Sequence, residues 1–214
     1  MGVLLFPPDI TIDEKTKRCV GRNIDITRKL LLEYGVTMQV VCASPMRIYR
    51  MIEDSEVDLT INIKSTKALA SHVEFSKVPF RKLVLNMYSH SDAKEFSTIS
   101  AVRGFDYQGY RENYSKEGFE FIDLPSTISA IQVFIKHRSD YLLSYESPVL
   151  NFTNEKKLLI PDTVSVTPLL EIDTFYAISN KSIYLDKLKY IFNDYALKHN
   201  AHYFLSDLQD SSPQ

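Results

Sequence analysis

Charged, amide and aromatic side chains gather at the carboxyl ends of the strands that the sequence predicts, where they could bind a small ligand. These candidate ligand-binding residues are Asp9, Asn62, Lys64, Thr66, Arg103, Tyr107, Tyr145 and Glu146. Lys64 and Arg103 could meet an anionic group, and Asp9 and Glu146 could meet a cation. The two tyrosines could stack on a ring or cover a cation. For each residue alone, the competing interpretation is a solvated loop side chain or a salt bridge, and for Thr66 also a helix N-cap.

The motifs of common enzymes are absent from the sequence. It contains no G-x-G-x-x-G, no phosphate-binding P-loop and no G-x-S-x-G nucleophile elbow. Of the 5 histidines, only His199 and His202 could share a helical face, and a solvated helix end is favoured there over a metal site. Neither Cys19 nor Cys42 stands near a histidine in a way that indicates a nucleophile. The sequence therefore predicts a protein that is not an enzyme, without catalytic residues, cofactor or metal.

Composition excludes several other classes of protein. The chain has 214 residues, with 25 basic and 27 acidic side chains and a formal charge of −2. This length suits one large domain or two small lobes, and the charge does not suit nucleic-acid binding. No apolar run approaches the roughly 20 residues that span a bilayer, so we expect a soluble chain. The first residues lack the basic region of a signal peptide.

Two similar runs of alternating strand and helix patterns follow one another along the chain. The first run predicts strands at Val3–Phe6, Val36–Val41 and Val57–Ile63, a hairpin or long loop at Asp9–Cys19, and helices at Asn23–Gly35 and Pro45–Glu53. The second predicts strands at Ile99–Val102, Phe119–Ile122 and Tyr141–Ser144, with helices at Tyr107–Glu117 and Ser126–His137. A long helix at about Ile183–His199 and a shorter one near Tyr203–Leu208 end the chain. Such β-α-β runs are typical of mainly parallel α/β sheets.

The sequence thus predicts two α/β lobes joined by extended segments. We expect lobe one at residues 1–86 plus 174–214, lobe two at 87–173, and a hinge near 83–89 and 171–177. Because open α/β sheets bind ligands at the carboxyl ends of their strands, we expect a ligand cleft between the lobes.

Taken in order, several segments resemble the extracytoplasmic solute-binding proteins that serve ABC importers of polar amino acids. They are Phe6-Pro7-Pro8, Gly21-Arg-Asn-Ile-Asp25, Glu56-Val-Asp-Leu-Thr-Ile61, Ser65-Thr66-Lys67 with Glu74-Phe75-Ser76 and Pro79-Phe80, Val102-Arg103-Gly104 with Tyr107, and Ser139-Asp140-Tyr141 with Glu146-Ser147-Pro148. The segment Glu56-Val-Asp-Leu-Thr-Ile61 is similar to the family's G-x-V-D strand. The segments from Ser65 to Phe80 are similar to its T-x-x-R…D-F-S-x-P-Y block. The resemblance covers almost the whole chain. It implies the type 2 periplasmic-binding-protein fold, in which each lobe is a mixed, mainly parallel sheet flanked by helices.

The chain departs from this family where the family binds its ligand. The arginine that commonly holds the ligand α-carboxylate is replaced by Leu69, and a threonine that helps it is replaced by Phe105. The aspartate that usually meets the α-ammonium aligns with Glu146, and a first-loop position that is often aromatic is Asp9. We therefore expect a small polar ligand, amino-acid-like or otherwise charged, that is not an ordinary α-amino acid held in the usual way.

The resemblance implies a binding protein that closes on its ligand and presents the closed form to a membrane permease. Such a protein works in the periplasm or another extracytoplasmic space, with its export signal missing from this chain, and we expect a monomer. Cys19 and Cys42 could be separate thiols, but in an exported protein their places around the first helix favour a disulfide. The alternatives are a ligand-sensing domain of a signalling receptor, an enzyme of the same fold with Glu146 or Asp9 as proton donor, or a degenerate paralogue that binds no ligand.

Overall fold

The computed structural model describes residues 1–94, 97–156 and 163–205. They divide into two compact units. Unit 1 comprises Met1–Leu5, Asp9–Lys82 and the residues from Asp173 onward, and unit 2 comprises Phe6–Pro8 and Leu83–Ile172.

Helices and strands alternate along the described chain. The helices are α1 (Arg22–Glu33), α2 (Pro45–Glu53), α3 (Tyr110–Lys116), α4 (Thr127–Ile135), α5 (Glu146–Lys156) and α6 (Leu185–Lys198). The strands are β1 (Gly2–Val3), β2 (Thr11–Ile12), β3 (Cys19–Val20), β4 (Val41–Cys42), β5 (Leu59–Ile63), β6 (Val73–Phe75), β7 (Arg81–His90), β8 (Thr98–Val102), β9 (Glu120–Leu124), β10 (Tyr141–Tyr145) and β11 (Val164–Ser179). The predicted hinge segments 83–89 and 171–177 lie inside β7 and β11, and their role as hinges stays a prediction.

One core of unit 1 lies between α1 and α6. Helical spacing of the apolar residues of α1 places Ile24 and Leu31 on one face, where they are at most 2% exposed. Phe192 of α6 joins the same cluster, and its ring stacks on that of Tyr176 at 4.0 Å. Burial of each large apolar side chain contributes about 1.5–3 kcal/mol. This core fixes the helices that flank β11.

A second core of unit 1 is built on α2, which has the predicted bounds. Pro45 occupies the first turn, where its fixed φ suits a helix and its missing N–H costs nothing. Ile48 and Ile52 are fully buried and pack in one cluster with Leu69 and Ala177. The cluster joins α2 to β11 and to the turns that follow β5.

The strands of unit 1 pair in both directions. β1 pairs with β4 in parallel, with Gly2 opposite Val41. β11 pairs antiparallel with β5, where Phe175 lies opposite Asn62, and antiparallel with β6. The predicted strand at Val36–Val41 is shorter than expected, since only its end is paired as β4.

A hairpin and a disulfide close the early part of unit 1. β2 and β3 pair antiparallel, as the predicted hairpin requires, and Lys17 takes a positive φ of 57° in the turn between them. Cys19 of β3 forms a disulfide with Cys42 of β4 across a Cα–Cα distance of 5.8 Å. The predicted disulfide is confirmed.

Unit 2 is also a mixed sheet with helices. β8 pairs in parallel with β9 and β10, and β10 pairs antiparallel with β7. Ser126 caps α4, because its hydroxyl accepts a hydrogen bond from the Ser129 backbone N–H at 3.2 Å. The core of the unit contains Tyr88, Ala130, Ile131, Phe134, Leu142, Val149 and Phe152.

Three helices differ from the sequence predictions. α3 begins later than predicted because Tyr107 and Gln108 have positive φ angles of 51° and 61°, which a right-handed helix does not tolerate. α5 was not predicted. The short helix predicted near Tyr203–Leu208 lies partly outside the described residues. Its described residues, 203–205, are not helical.

Candidate functional site

Asn62 is the centre of a buried hydrogen-bonded group in unit 1. Its Oδ1 accepts hydrogen bonds from the Thr66 hydroxyl at 2.8 Å and from the Ile63 backbone N–H at 2.9 Å. Its Nδ2 donates to the hydroxyl of Tyr49 at 3.3 Å. Turns, not a helix, follow Thr66, so this side chain orients Asn62 instead of capping a helix. The structure thus brings two of the predicted site residues together.

Asp9 forms an ion pair with Arg81, a residue that the sequence analysis did not single out. Both side chains are well buried, with 8% of Asp9 and 13% of Arg81 exposed. The Arg81 carbonyl accepts a hydrogen bond from the Thr174 hydroxyl at 3.0 Å, and Thr174 lies opposite Ile63 at the end of β5. The backbone of Arg81 is therefore joined through Thr174 to the end of β5, next to Asn62.

Lys64 and Leu69 follow β5 but have different surroundings. Lys64 is exposed, and its Nζ lies 3.9 Å from the centre of the Phe175 ring. Such a cation–π contact leaves the ammonium in solvent on its other sides. Leu69 is fully buried in the cluster around Ile48 and Ile52. The position at which the family commonly has a ligand-binding arginine is therefore part of the hydrophobic core in this chain.

In unit 2, the turn after β8 is held by Arg111 of α3. Its Nη2 and Nε donate to the carbonyls of Val102 and Phe105, both at 2.9 Å, and its Nη1 forms an ion pair with Asp123 at 2.9 Å. Arg103, within this turn, is exposed and donates weakly to the Asp123 carbonyl at 3.4 Å. The turn is thus anchored while the Arg103 side chain extends into solvent.

Four aromatic rings form one cluster in unit 2. Tyr145, the last residue of β10, lies 5.7 Å from Phe6, 6.3 Å from Phe105 and 5.9 Å from Tyr107 between ring centres. The Tyr107 hydroxyl accepts a hydrogen bond from the Val102 backbone N–H at 2.9 Å. The two predicted tyrosines are therefore neighbours, and both are buried.

Glu146 begins α5 directly after Tyr145 and is exposed. A carboxylate in the first turn of a helix is favoured by the helix dipole. Burial and the nearby charge of Glu146 raise the pKa of Tyr88, so the Tyr88 phenol stays neutral over the physiological range. Glu146 thus places a carboxyl group directly after Tyr145, the residue of β10 that belongs to the aromatic cluster.

The predicted residues thus fall into local groups. Asn62 joins Thr66, Tyr107 joins Tyr145, and the remaining four each have other neighbours. The Asp9–Arg81 pair had no local signal, because its members are 72 residues apart. A lone arginine directly after the Pro79-Phe80 motif was the only available hint.

Two further findings concern metals and membranes. Within residues 1–94, 97–156 and 163–205, no group of three or more His, Cys, Asp or Glu side chains is placed to hold a metal ion. None of the helices described for those residues has the length and apolar content that crossing a bilayer requires.

Solved structures of ligand-binding proteins share this architecture. An ancestral arginine-binding protein bound to arginine matches with a TM-score of 0.74 at 16% identity, over 98% of this chain and 91% of that chain. The substrate-binding protein of an amino acid ABC transporter matches with a TM-score of 0.73 at 14% identity, over 100% of both chains. A histidine kinase sensor domain with similarity to periplasmic binding proteins matches with a TM-score of 0.71 at 16% identity, over 98% of this chain and 89% of that chain. No family model and no curated protein matches the sequence.

These likenesses define the class of fold. The chain has an α/β fold of the type 2 periplasmic-binding-protein class. The predicted resemblance to amino-acid-binding periplasmic proteins is confirmed at the level of the fold.

Proposed function

We propose that this chain is an extracytoplasmic solute-binding protein that captures a small polar ligand and delivers it to an ABC importer. The observation that carries the proposal is the full-length match to the substrate-binding protein of an amino acid ABC transporter. The disulfide between Cys19 and Cys42 supports it, because disulfides persist mainly in oxidising, extracytoplasmic compartments.

The proposed site uses polar groups that the fold has already oriented. Ligand sites commonly combine a few fixed hydrogen-bonding groups with apolar and aromatic surfaces. The hydrogen-bonded Asn62 group lies in unit 1, and the rings and charges near the end of β10 lie in unit 2. The proposed ligand-binding residues are Asp9, Asn62, Lys64, Thr66, Arg103, Tyr107, Tyr145 and Glu146.

The test is a thermal-shift screen of the purified protein against amino acids, peptides, polyamines, organic acids and sugars, with hits measured by calorimetry. A ligand at about 100 times its Kd adds about 2.7 kcal/mol of apparent stability, which raises Tm by several degrees. Because Leu69 lies in the core, we expect weak binding or none for ordinary α-amino acids. If no compound of the panel raises the Tm of a protein that has been shown to be free of ligand, the result would count against the proposal.

Matched variants would connect a hit to the site. Asn62→Ala should weaken binding at least tenfold, since it removes the side chain that Thr66 and Tyr49 orient. Asn180→Ala is the control, because Asn180 is exposed and its amide donates only to the Ser71 carbonyl among the described contacts. Equal affinities for both variants would exclude Asn62 from the site.

A ligand-sensing domain of a receptor is the second candidate function. The observation that favours it is the likeness to a histidine kinase sensor domain over 98% of this chain. Genes for a permease and an ATPase beside this gene would support the importer role. A precursor that continues into a membrane helix and a signalling domain would support the sensor role instead.

A further inference from the structure

The Asp9–Arg81 ion pair places two opposite charges inside unit 1. The side chains remain 8% and 13% exposed, so both charged groups have lost most of their water. Removing charges from water is costly, and a buried ion pair often contributes little net stability compared with an apolar pair of the same size. Stability alone is therefore a weak explanation for this pair.

The position of the pair points to the ligand site. Asp9 lies in the segment between β1 and β2, and Arg81 is the first residue of β7. Thr174 lies between Arg81 and Ile63: its hydroxyl donates to the Arg81 carbonyl, and it pairs with Ile63 at the end of β5. Asn62 directly precedes Ile63, and the Thr66 hydroxyl donates to its side chain. An arginine in such a position is a natural receptor for a carboxylate, because its guanidinium can bind both carboxylate oxygens.

Asp9 supplies that carboxylate from within the protein. Its Oδ2 accepts a hydrogen bond from Arg81 Nη1, as a ligand carboxylate would. The two charges cancel, so this part of unit 1 has no net charge from the pair. A second carboxylate brought to the same place would meet the negative charge of Asp9 and lose its own water.

We propose that Asp9 is a built-in counter-ion of Arg81 that excludes carboxylates from this part of unit 1, so that the ligand presents a neutral or cationic group there. This inference rests on the proposed function and specifies its ligand class. It makes Asp9 a specificity-determining residue. Within unit 1, the carboxylate of Asp9 occupies the guanidinium of Arg81.

The decisive experiment removes one charge of the pair at a time and measures how tightly a simple ion binds to each variant. Asp9→Asn removes the Asp9 carboxylate from Arg81, so acetate should bind this variant at least tenfold more tightly than it binds the wild type. Arg81→Gln leaves Asp9 without its guanidinium, so methylammonium should gain affinity in the same way. Calorimetry and thermal shift measure both, and circular dichroism checks that each variant is folded.

Two controls make the result specific. Asp25→Asn removes a carboxylate from an exposed ion pair with Arg28, whose side chain is 49% exposed, and should not change acetate binding. The double variant Asp9→Asn/Arg81→Gln has neither charge and should gain affinity for neither ion. If Asp9→Asn does not fold, Arg81→Gln and the double variant still test the counter-ion role.

The outcomes separate this inference from the proposed function. A folded Asp9→Asn variant without any gain for acetate would overturn the counter-ion role, as would a natural ligand whose carboxylate binding is lost in Arg81→Gln. The second result would still support a solute-binding protein. Conversely, tighter acetate binding by Asp9→Asn would confirm Asp9 as the counter-ion of Arg81, even if the wild type binds no compound in the ligand screen. The negative ligand screen would then count against the proposed function alone.

Discussion

Gly21 and Asp9 lie so close together that no side chain fits between them. A β-carbon on Gly21 would overlap the carbonyl oxygen of Asp9 and would lie 2.8 Å from the carbonyl carbon. The Asp9 carbonyl also accepts a hydrogen bond from the backbone N–H of Asn23, near the start of α1, at 3.4 Å. The glycine thus lets the loop that carries Asp9 pack directly on the beginning of the first helix.

Gly21→Ala should therefore be strongly destabilising. Gly21 has a φ of +139°, which side chains rarely adopt, and the new β-carbon would also push against backbone. We expect the free energy of unfolding to fall by well over the roughly 1–2 kcal/mol that a left-handed backbone conformation alone costs a residue with a side chain. Urea denaturation gives the free energy of unfolding. Gly35→Ala is the control, since Gly35 also has a positive φ of +67° but no atom within 4 Å of an added β-carbon. Equal losses in the two variants would show that the contact with Asp9 is unimportant.

The disulfide should contribute substantially to the stability of unit 1. Cys19 and Cys42 are separated by 23 residues, and closing a loop of that length is worth about 3 kcal/mol on the chain-entropy account. The double variant Cys19→Ser/Cys42→Ser should lose about that amount in urea denaturation. A reducing agent should destabilise the wild type similarly and leave the double variant unchanged. A reducing agent without effect on the wild type would contradict the prediction.

Leu69 should behave as a core residue and not as a ligand contact. Leu69→Ala should cost about 2–5 kcal/mol of unfolding free energy, because it removes buried contacts and leaves a cavity beside Ile48 and Ile52. Leu69→Met keeps the volume and should cost less than about 1.5 kcal/mol. The two variants are compared by chemical denaturation. If Leu69→Ala were as stable as the wild type, the position would not belong to this core.

Tyr176 should make the protein sensitive to alkaline pH. Burial raises the pKa of Tyr176 above its ordinary value of 10.0, so the folded state holds the phenol proton more tightly than the unfolded state. This contribution is complete below about pH 10 and is lost as the pH rises above it, because the unfolded phenol then ionises first.

Tyr176→Phe isolates this contribution. The Tyr176 hydroxyl lies 3.0 Å from the hydroxyl of Thr27, which also donates to the Asn23 carbonyl at 2.7 Å. Because Thr27 keeps that partner, we expect a change within about 1.5 kcal/mol at neutral pH. Between about pH 9 and about pH 11, the wild type should lose more unfolding free energy than the variant. Equal losses would mean that the buried phenol does not contribute to the pH dependence.

Local pattern was enough to predict most of the elements. α2 has the predicted bounds because a proline at its start and apolar residues at helical spacing are both local signals. The strands β8 and β10 were found for the same reason, whereas the sequence left open whether a hairpin or a long loop precedes Cys19. α3 was placed too early, since the positive φ angles of Tyr107 and Gln108 were not evident in the sequence.

The candidate site was less predictable because its contacts are not local. Asn62 and Thr66 are four residues apart, so position after a strand was enough to find both. Arg81 was missed because its partner Asp9 lies far away in the sequence. The burial of Leu69 depends on α2 and β11, which meet only in the folded chain.

The division of the chain between the units has a consequence for folding during synthesis. Unit 2 is nearly continuous, and apart from Phe6–Pro8 all of it lies between Leu83 and Ile172. Unit 1 is discontinuous: its first core needs α6, which begins at Leu185, to cover α1. As the ribosome delivers a chain from its amino end, unit 2 can complete its core while the first half of unit 1 still waits for its last helix. Unit 1 is thus the unit whose first half is translated first but whose core is completed last. Its apolar surface stays exposed, and needs protection, until α6 has been made.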